Sequence, residues 1–193
     1  MHSAARQQET PGLWRTLTVW NSSEIWVRQA LVRNGIQTDQ GEAEVTQQEE
    51  IPLRKIDHVR FFVGNARQSA YFYRNAYGFD VVAYAGLETR VRNEAGYVLR
   101  QGGITFVLQS PLRANHPDAS RLILHGDGVA DIALSVEDVR HSWNLAIERG
   151  AVGVIGPKAI EDEHGVYEYA TIRAYGDTTH TFVNRDRYHG VFA

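Results

Sequence analysis

One supersecondary unit is written twice in this chain at an offset of 73 residues, and that duplication limits the fold more than any other feature. Ile56 to Val63 alternates, with Val59, Phe61 and Val63 on one face and His58, Arg60 and Phe62 on the other, as a half-buried strand does. Ile132, Leu134 and Val136 repeat the first set 73 positions later. A helix is predicted after each strand. The first has Asn65 as N-cap, a stripe of Ala66, Ala70, Tyr73 and Tyr77, and Gly78 as the stop. In the second, Val139, Trp143 and Ala146 follow Ala66, Ala70 and Tyr73 by the same 73, and Gly150 stands in for Gly78. Three strand-like runs follow each helix: 79–84, 94–100 and 104–109, then 151–155, 166–174 and 179–185. Thr181-Phe182-Val183 repeats Thr105-Phe106-Val107, which suggests that these triplets occupy equivalent places.

The expectation is an α+β domain over 54–193, built of two βαβββ modules at about 55–110 and 128–186. Each strand face that packs under its own helix leaves the opposite face to curl into an open, barrel-like sheet around a shared cleft. Residues 111–127, which contain Pro111 and Pro117, read as the connecting loop.

The first 50 residues follow different rules. Ser22 to Gly35 has the ends and composition of a short helix, whereas 36–50 is polar and acidic and reads as a linker; 1–50 is expected to be a largely disordered extension. Four arginines against seven acidic residues place the whole net charge of −3 in this segment. The remainder balances 16 basic with 16 acidic residues and has no basic stripe, so nucleic acid is not an expected partner. No apolar run approaches the roughly 20 residues that span a bilayer, and no secretory h-region opens the chain; neither a membrane nor export is expected, and the location inferred is cytoplasmic. With Cys 0, disulfides, thiolate nucleophiles and cysteine-ligated metals are excluded.

Strand parity picks out the cleft-facing residues: His58, Arg60, Thr105, Val107, Gln109, Asp131, Ala133, Ser135, Thr181, Val183 and Arg185. A mononuclear metal would draw its ligands from corresponding points of the two modules, namely His58, Thr105, Asp131 and Thr181. A non-haem iron site wants two His and one carboxylate, and this set supplies one of each. No metal site is therefore expected here; His58, Asp131 and Thr181 read as degenerate ligand positions. Glu161 to His164 reads as a solvated hairpin, His125 to Gly128 as a turn, and His180 as a satisfied core histidine. Nucleophile-elbow, P-loop, dinucleotide and HExxH motifs are absent, and no catalytic or cofactor-binding residue is assigned.

Several runs carry a family resemblance. Ile56-Asp57-His58-Val59 with Val63 to Gln68, Ala83-Tyr84, Gly86 to Thr89, Phe106 to Leu108, His125 to Val129 with Asp131 to Ala133, and Tyr175 to Thr181 resemble the 4-hydroxyphenylpyruvate dioxygenase family in order and spacing. The likeness covers roughly 54–192 and agrees with the duplicated unit of the vicinal oxygen chelate, or glyoxalase-like, fold. It implies conversion of 4-hydroxyphenylpyruvate and O2 to homogentisate and CO2 in tyrosine breakdown, with iron(II) as cofactor. It also implies that this chain corresponds to the N-terminal half, the iron ligands and most of the substrate pocket belonging to a C-terminal barrel beyond Ala193. On that reading the chain alone binds no iron and is inactive, being a gene fragment, a split subunit or a degenerate paralogue. Its partner would be that barrel, and an uncovered apolar surface would favour a homo-oligomer. The alternatives are half of a hydroxymandelate synthase, or a stand-alone small-molecule binding protein of the same fold.

Overall fold

In the computed structural model, which describes residues 49–192, eight strands form one mixed sheet in the order β2-β3-β4-β1-β5-β8-β7-β6. The first module runs β1 (Leu53–Phe62), α1 (Ala66–Tyr77), β2 (Asp80–Ala85), a 3-10 turn at Leu87–Thr89, β3 (Glu94–Gln101) and β4 (Ile104–Pro111). A short helix, α2 (Ala119–His125), leads to the second: β5 (Gly128–Val136), α3 (Val139–Glu148), β6 (Gly153–Asp162), β7 (Gly165–Arg173) and β8 (Thr179–Tyr188). Two βαβββ modules in one curled sheet are what the repeat predicts.

The register at the centre carries the duplication into three dimensions. β1 and β5 are antiparallel with Val59 opposite Ile132, His58 opposite Ala133 and Arg60 opposite Asp131. The 73-residue offset exchanges the last two pairs and returns Val59–Ile132 to itself, so the pseudo-twofold axis passes through that pair. β1 pairs in parallel with β4, and β5 with β8, at equivalent places on either side.

Local chemistry explains both helices. Asn65 accepts the Gln68 N–H at 3.0 Å, and Gly78 closes α1 at φ 76, an angle that suits a residue without Cβ. Asp138 caps α3 in the same way through the His141 N–H at 2.9 Å. Small residues at the contacts, Ala66 and Ala70 in α1 and Ser142 and Ala146 in α3, let each helix lie close to its sheet. Each module has its own helix-side core: Val63, Phe79, Leu99 and Leu108 under α1, and Val136, Ala170 and Phe182 under α3, joined there by Val139 of the helix itself. A third cluster, Ala133, Tyr167, Val183 and Tyr188, lies on the opposite, cleft-facing side of the second module.

Three expectations need correction. Thr105 corresponds to Thr179 and not to Thr181: Val59 pairs with Phe106 while Ile132 pairs with His180, so the β4-to-β8 offset is one residue longer than that between β1 and β5. The shared Thr-Phe-Val triplets are thus out of step by two residues, which keeps the face and changes the level. The 111–127 connection is not all loop, because β4 takes Pro111 and α2 forms there, ending where Gly126 takes φ 67. Finally β6 extends to Asp162, well past the expected 155, and contains Pro157, which is tolerated because β6 is the sheet edge. The helix expected at 22–35 and the extension at 1–48 lie outside the described residues. Glu49 and Glu50 have no regular structure, although the Glu49 carbonyl accepts from Arg149.

Candidate functional site

The concave face of the first module encloses a cleft of about 400 Å³, with His58 and Arg60 of β1, Tyr97 of β3 and Val107 and Gln109 of β4 along it, and Tyr167 and Phe192 closing one side. Strand alternation predicts His58, Arg60, Val107 and Gln109 on this face. It does not single out Tyr97, Tyr167 or Phe192, although Tyr167 and Tyr169 share a face of β7 and stack at 5.5 Å.

Asp57 is the residue that alternation misplaces. Ile56 pairs with Leu134 and His58 with Ala133, so β1 carries an extra residue at this point. The bulge breaks the period of two and brings Asp57 to the same side as His58. Its carboxylate meets His58 Nδ1 at 2.8 Å and accepts from Arg185 Nε at 3.1 Å. Burial alone would push the Asp57 carboxyl up, but the hydrogen bond to His58 and the neighbouring Arg185 together outweigh it and hold the group below the ordinary carboxylate range. The Arg185 guanidinium lies between two rings, 4.4 Å from the centroid of Tyr167 and 4.4 Å from that of Phe192. Phe192 also meets His58 edge-on at 5.1 Å. Burial drives the Tyr167 phenol up to about 12, with Arg185 opposing, so it is a neutral hydroxyl at physiological pH.

The three degenerate ligand positions are all buried on this face. Asp131, 1% exposed, accepts from the Thr179 hydroxyl at 2.5 Å and from Thr181 at 2.8 Å, and Thr181 in turn meets Thr171 Oγ1 at 3.0 Å. One Asp131 oxygen is thereby committed to two hydroxyls, and His58 is tied through Nδ1 to Asp57. Thr181 is a neutral donor. This donor set does not fit an iron ion, and among the described residues no cluster of three His, Asp or Glu side chains is arranged to hold a metal.

The other sequence assignments fall as follows. Glu161 to His164 forms the exposed β6–β7 hairpin. His180 sits on the helix side with Nδ1 3.2 Å from the Ile132 carbonyl. The run His125 to Gly128, expected as a turn, is only a two-residue link: His125 ends α2, Gly128 begins β5, and between them Asp127 accepts the Gly64 N–H at 2.7 Å, stitching the start of α1 to the start of β5.

The chain is 48% identical over 142 residues to the 4-hydroxyphenylpyruvate dioxygenase of Dictyostelium discoideum, which covers 72% of this chain and 39% of the relative. It is 41% identical over 143 residues to that of Yarrowia lipolytica, covering 72% of this chain and 36% of the relative. The chain thus spans less than two-fifths of the curated relatives it matches. Among solved structures, a triple mutant of 4-hydroxymandelate synthase from Streptomyces coelicolor superimposes with TM-score 0.65 at 29% identity, over 72% of this chain and 40% of that one. A methylmalonyl-CoA epimerase from the same organism, at 19% identity and TM-score 0.57 over 72% of this chain and 99% of the other, shares the fold. Residues 55–177 match the Glyoxalase/Bleomycin resistance protein/Dioxygenase superfamily, and with its paired βαβββ modules around one cleft the chain belongs to that superfamily.

Proposed function

We propose that the chain is the N-terminal half of a 4-hydroxyphenylpyruvate dioxygenase, an enzyme converting 4-hydroxyphenylpyruvate and O2 to homogentisate and CO2 in tyrosine breakdown. Iron(II) would be held by a second, C-terminal barrel that packs against this one, and the present residues would serve as its structural counterpart. The observation that carries the reading is the 48% identity to a protein of that name over 142 residues, well above the 29% identity to the hydroxymandelate synthase. The commitment of one Asp131 oxygen to two hydroxyls, with a neutral Thr181 where a carboxylate ligand would be wanted, supports the division of labour. Tyr71, Phe72 and Tyr77 project from α1 into solvent and form an apolar face suited to a partner or to self-association. Tyr77 does so contrary to its expected place in the helix stripe, because it falls in the last turn, beyond the buried Ala66 and Ala70.

Anaerobic titration of iron(II) into the chain, with an assay for homogentisate, tests the reading. The expected result is no tightly held equivalent of iron and no product from the chain alone, with product restored on co-expression with a barrel carrying two His and one Glu. One equivalent of tightly bound iron lost on His58→Ala, or homogentisate from the chain alone, overturns it.

A further inference from the structure

The Asp57–His58 pair has no part in the dioxygenase reading, and it has the geometry of an oriented base. Asp57 meets His58 Nδ1 at 2.8 Å and is itself held by Arg185 Nε at 3.1 Å, so carboxylate and ring are fixed together. A carboxylate on Nδ1 keeps the ring proton there and leaves the lone pair on Nε2. That second nitrogen makes no hydrogen bond to any described residue, yet it is not sealed off as Arg60 Nε is. The His58 ring is 7% exposed and lines the cleft, whereas Asp57 does not; Nε2 therefore opens on the cavity with the carboxylate behind it. Arg60, two residues along the same face of β1, lines the same cleft and makes no ion pair among the described residues. No serine or threonine lines this cavity and the chain has no cysteine, so the base has no nucleophile beside it to activate.

We propose that this cleft catalyses proton transfer at carbon, with His58 Nε2 as the catalytic base, Asp57 as its positioning residue and a small uncharged ketone or aldehyde as the substrate. Nε2 takes the α-proton, the C–H electron pair becomes the C=C bond of an enolate, and the carbonyl π pair moves onto oxygen beside the Arg60 guanidinium. The imidazolium then returns a proton to the α-carbon while the enolate reverts to the carbonyl. The net reaction is exchange or isomerisation, and it needs no oxidant, reductant or co-reactant. The role of Arg60 selects the substrate's charge. A carboxylate on the substrate would occupy the guanidinium in the ground state and leave it nothing to gain as the enolate forms, whereas an uncharged carbonyl reserves that contact for the transition state. Glu94 on the cleft wall disfavours an anion as well. A cavity of about 400 Å³ falls within the roughly 300–1,000 Å³ of small-molecule sites. The proposal is independent of the dioxygenase reading, in which turnover belongs to the other barrel, so either can fail alone.

Proton NMR of the full chain with 2-tetralone, an uncharged ketone with acidic α-protons, follows the exchange directly in D2O. The α-proton signal is expected to disappear at least about a hundredfold faster than with the same concentration of free imidazole. His58→Gln should slow it at least about tenfold, whereas His164→Gln, in the exposed β6–β7 hairpin, should leave the rate unchanged. Asp57→Asn should lower kcat roughly tenfold at unchanged KM, because it disturbs the orientation of the base and touches no substrate. If His58→Gln does not fold, carbethoxylation of the wild-type chain by diethyl pyrocarbonate takes its place, and the loss of rate should track modification of His58 mapped by mass spectrometry. A rate no greater than that of imidazole, full activity in folded His58→Gln, or a loss of rate that tracks another residue overturns the proposal. So does a larger acceleration over imidazole for phenylpyruvate, a charged ketone, than for 2-tetralone.

Discussion

Replacing Asp57 by alanine strips the acceptor from His58 Nδ1 and from Arg185 Nε in one step. The Asp57 side chain is 12% exposed and that of Arg185 20%, so water screens the pair weakly. The cost therefore belongs with broken buried pairs, about 3 kcal/mol at the lower end of their range, and not with the ~0–1 kcal/mol of surface pairs. For a unit of this size that loss lowers Tm by roughly 10 °C. Much of it is the penalty of leaving Arg185 charged and unanswered, so Asp57→Ala with Arg185→Met should be less destabilised than the two single losses added, with a coupling of about 1–3 kcal/mol. The pH dependence has a definite sign. The folded carboxyl titrates below its unfolded value, so its stabilisation is complete above the unfolded pKa near ~4 and is lost as pH falls through the lower folded value. Urea denaturation followed by far-ultraviolet circular dichroism at pH 7 and pH 3 measures both effects. A loss below about 1 kcal/mol at pH 7, or a loss that does not shrink at pH 3, would refute the reasoning.

Further outcomes can be checked by the same denaturation assay and by NMR. Gly165→Ala places a Cβ 2.0 Å from the Arg187 carbonyl oxygen at φ 119, and should cost at least about 3 kcal/mol. Gly102→Ala, at φ 54 in open space, should cost only about 1 kcal/mol. Leu108→Ala, at a fully buried position of the first core, is expected to lose about 2–5 kcal/mol, while Ile123→Ala, 84% exposed, should change stability by under about 0.5 kcal/mol. The hydrogen bond from His125, 2.8 Å away, holds the Asp177 carboxyl below its ordinary range; His125→Ala should return it upward in a carboxyl-carbon titration, and an unmoved Asp177 would count against that contact.

The modules, their helices and the cleft-facing residues of β1 and β4 are legible in the sequence because alternation and helical stripes report burial directly. Asn65 with Gly78, and the apolar face of Val59, Phe61 and Val63, name their element without ambiguity. Asp57 is illegible for a physical reason: a bulge shifts the phase of a strand without leaving a mark in residue type. The level of Thr181 is misread similarly, because a shared triplet suggests an offset that strand pairing does not respect. Phe192 reaches the cleft only through the turn after β8, a long-range contact that local patterning does not encode. α2 escapes a reading of the sequence because it has no side-chain cap and exposes Ile123 and Leu124, so it carries little of the amphipathic signature of a core helix.

The axis through Val59 and Ile132 makes the central seam blind to chain identity. If two copies opened at the 112–127 connector, each β1 could meet the β5 of its neighbour and recover the same His58–Ala133 and Arg60–Asp131 registers, giving a reciprocal exchanged dimer with no new contact. Two first modules paired about Val59 would instead set His58 against Arg60 twice, and lose the opposite charges that now face each other. Choice between one chain and two thus falls to the tether. Arg121 donates to the Asp177 carbonyl at 2.6 Å and to that of Val129 at 2.9 Å, and His125 clasps the Asp177 carboxylate. These contacts shorten the reach of the connector, and a short reach keeps the local concentration of the native β5 far above that of a stranger.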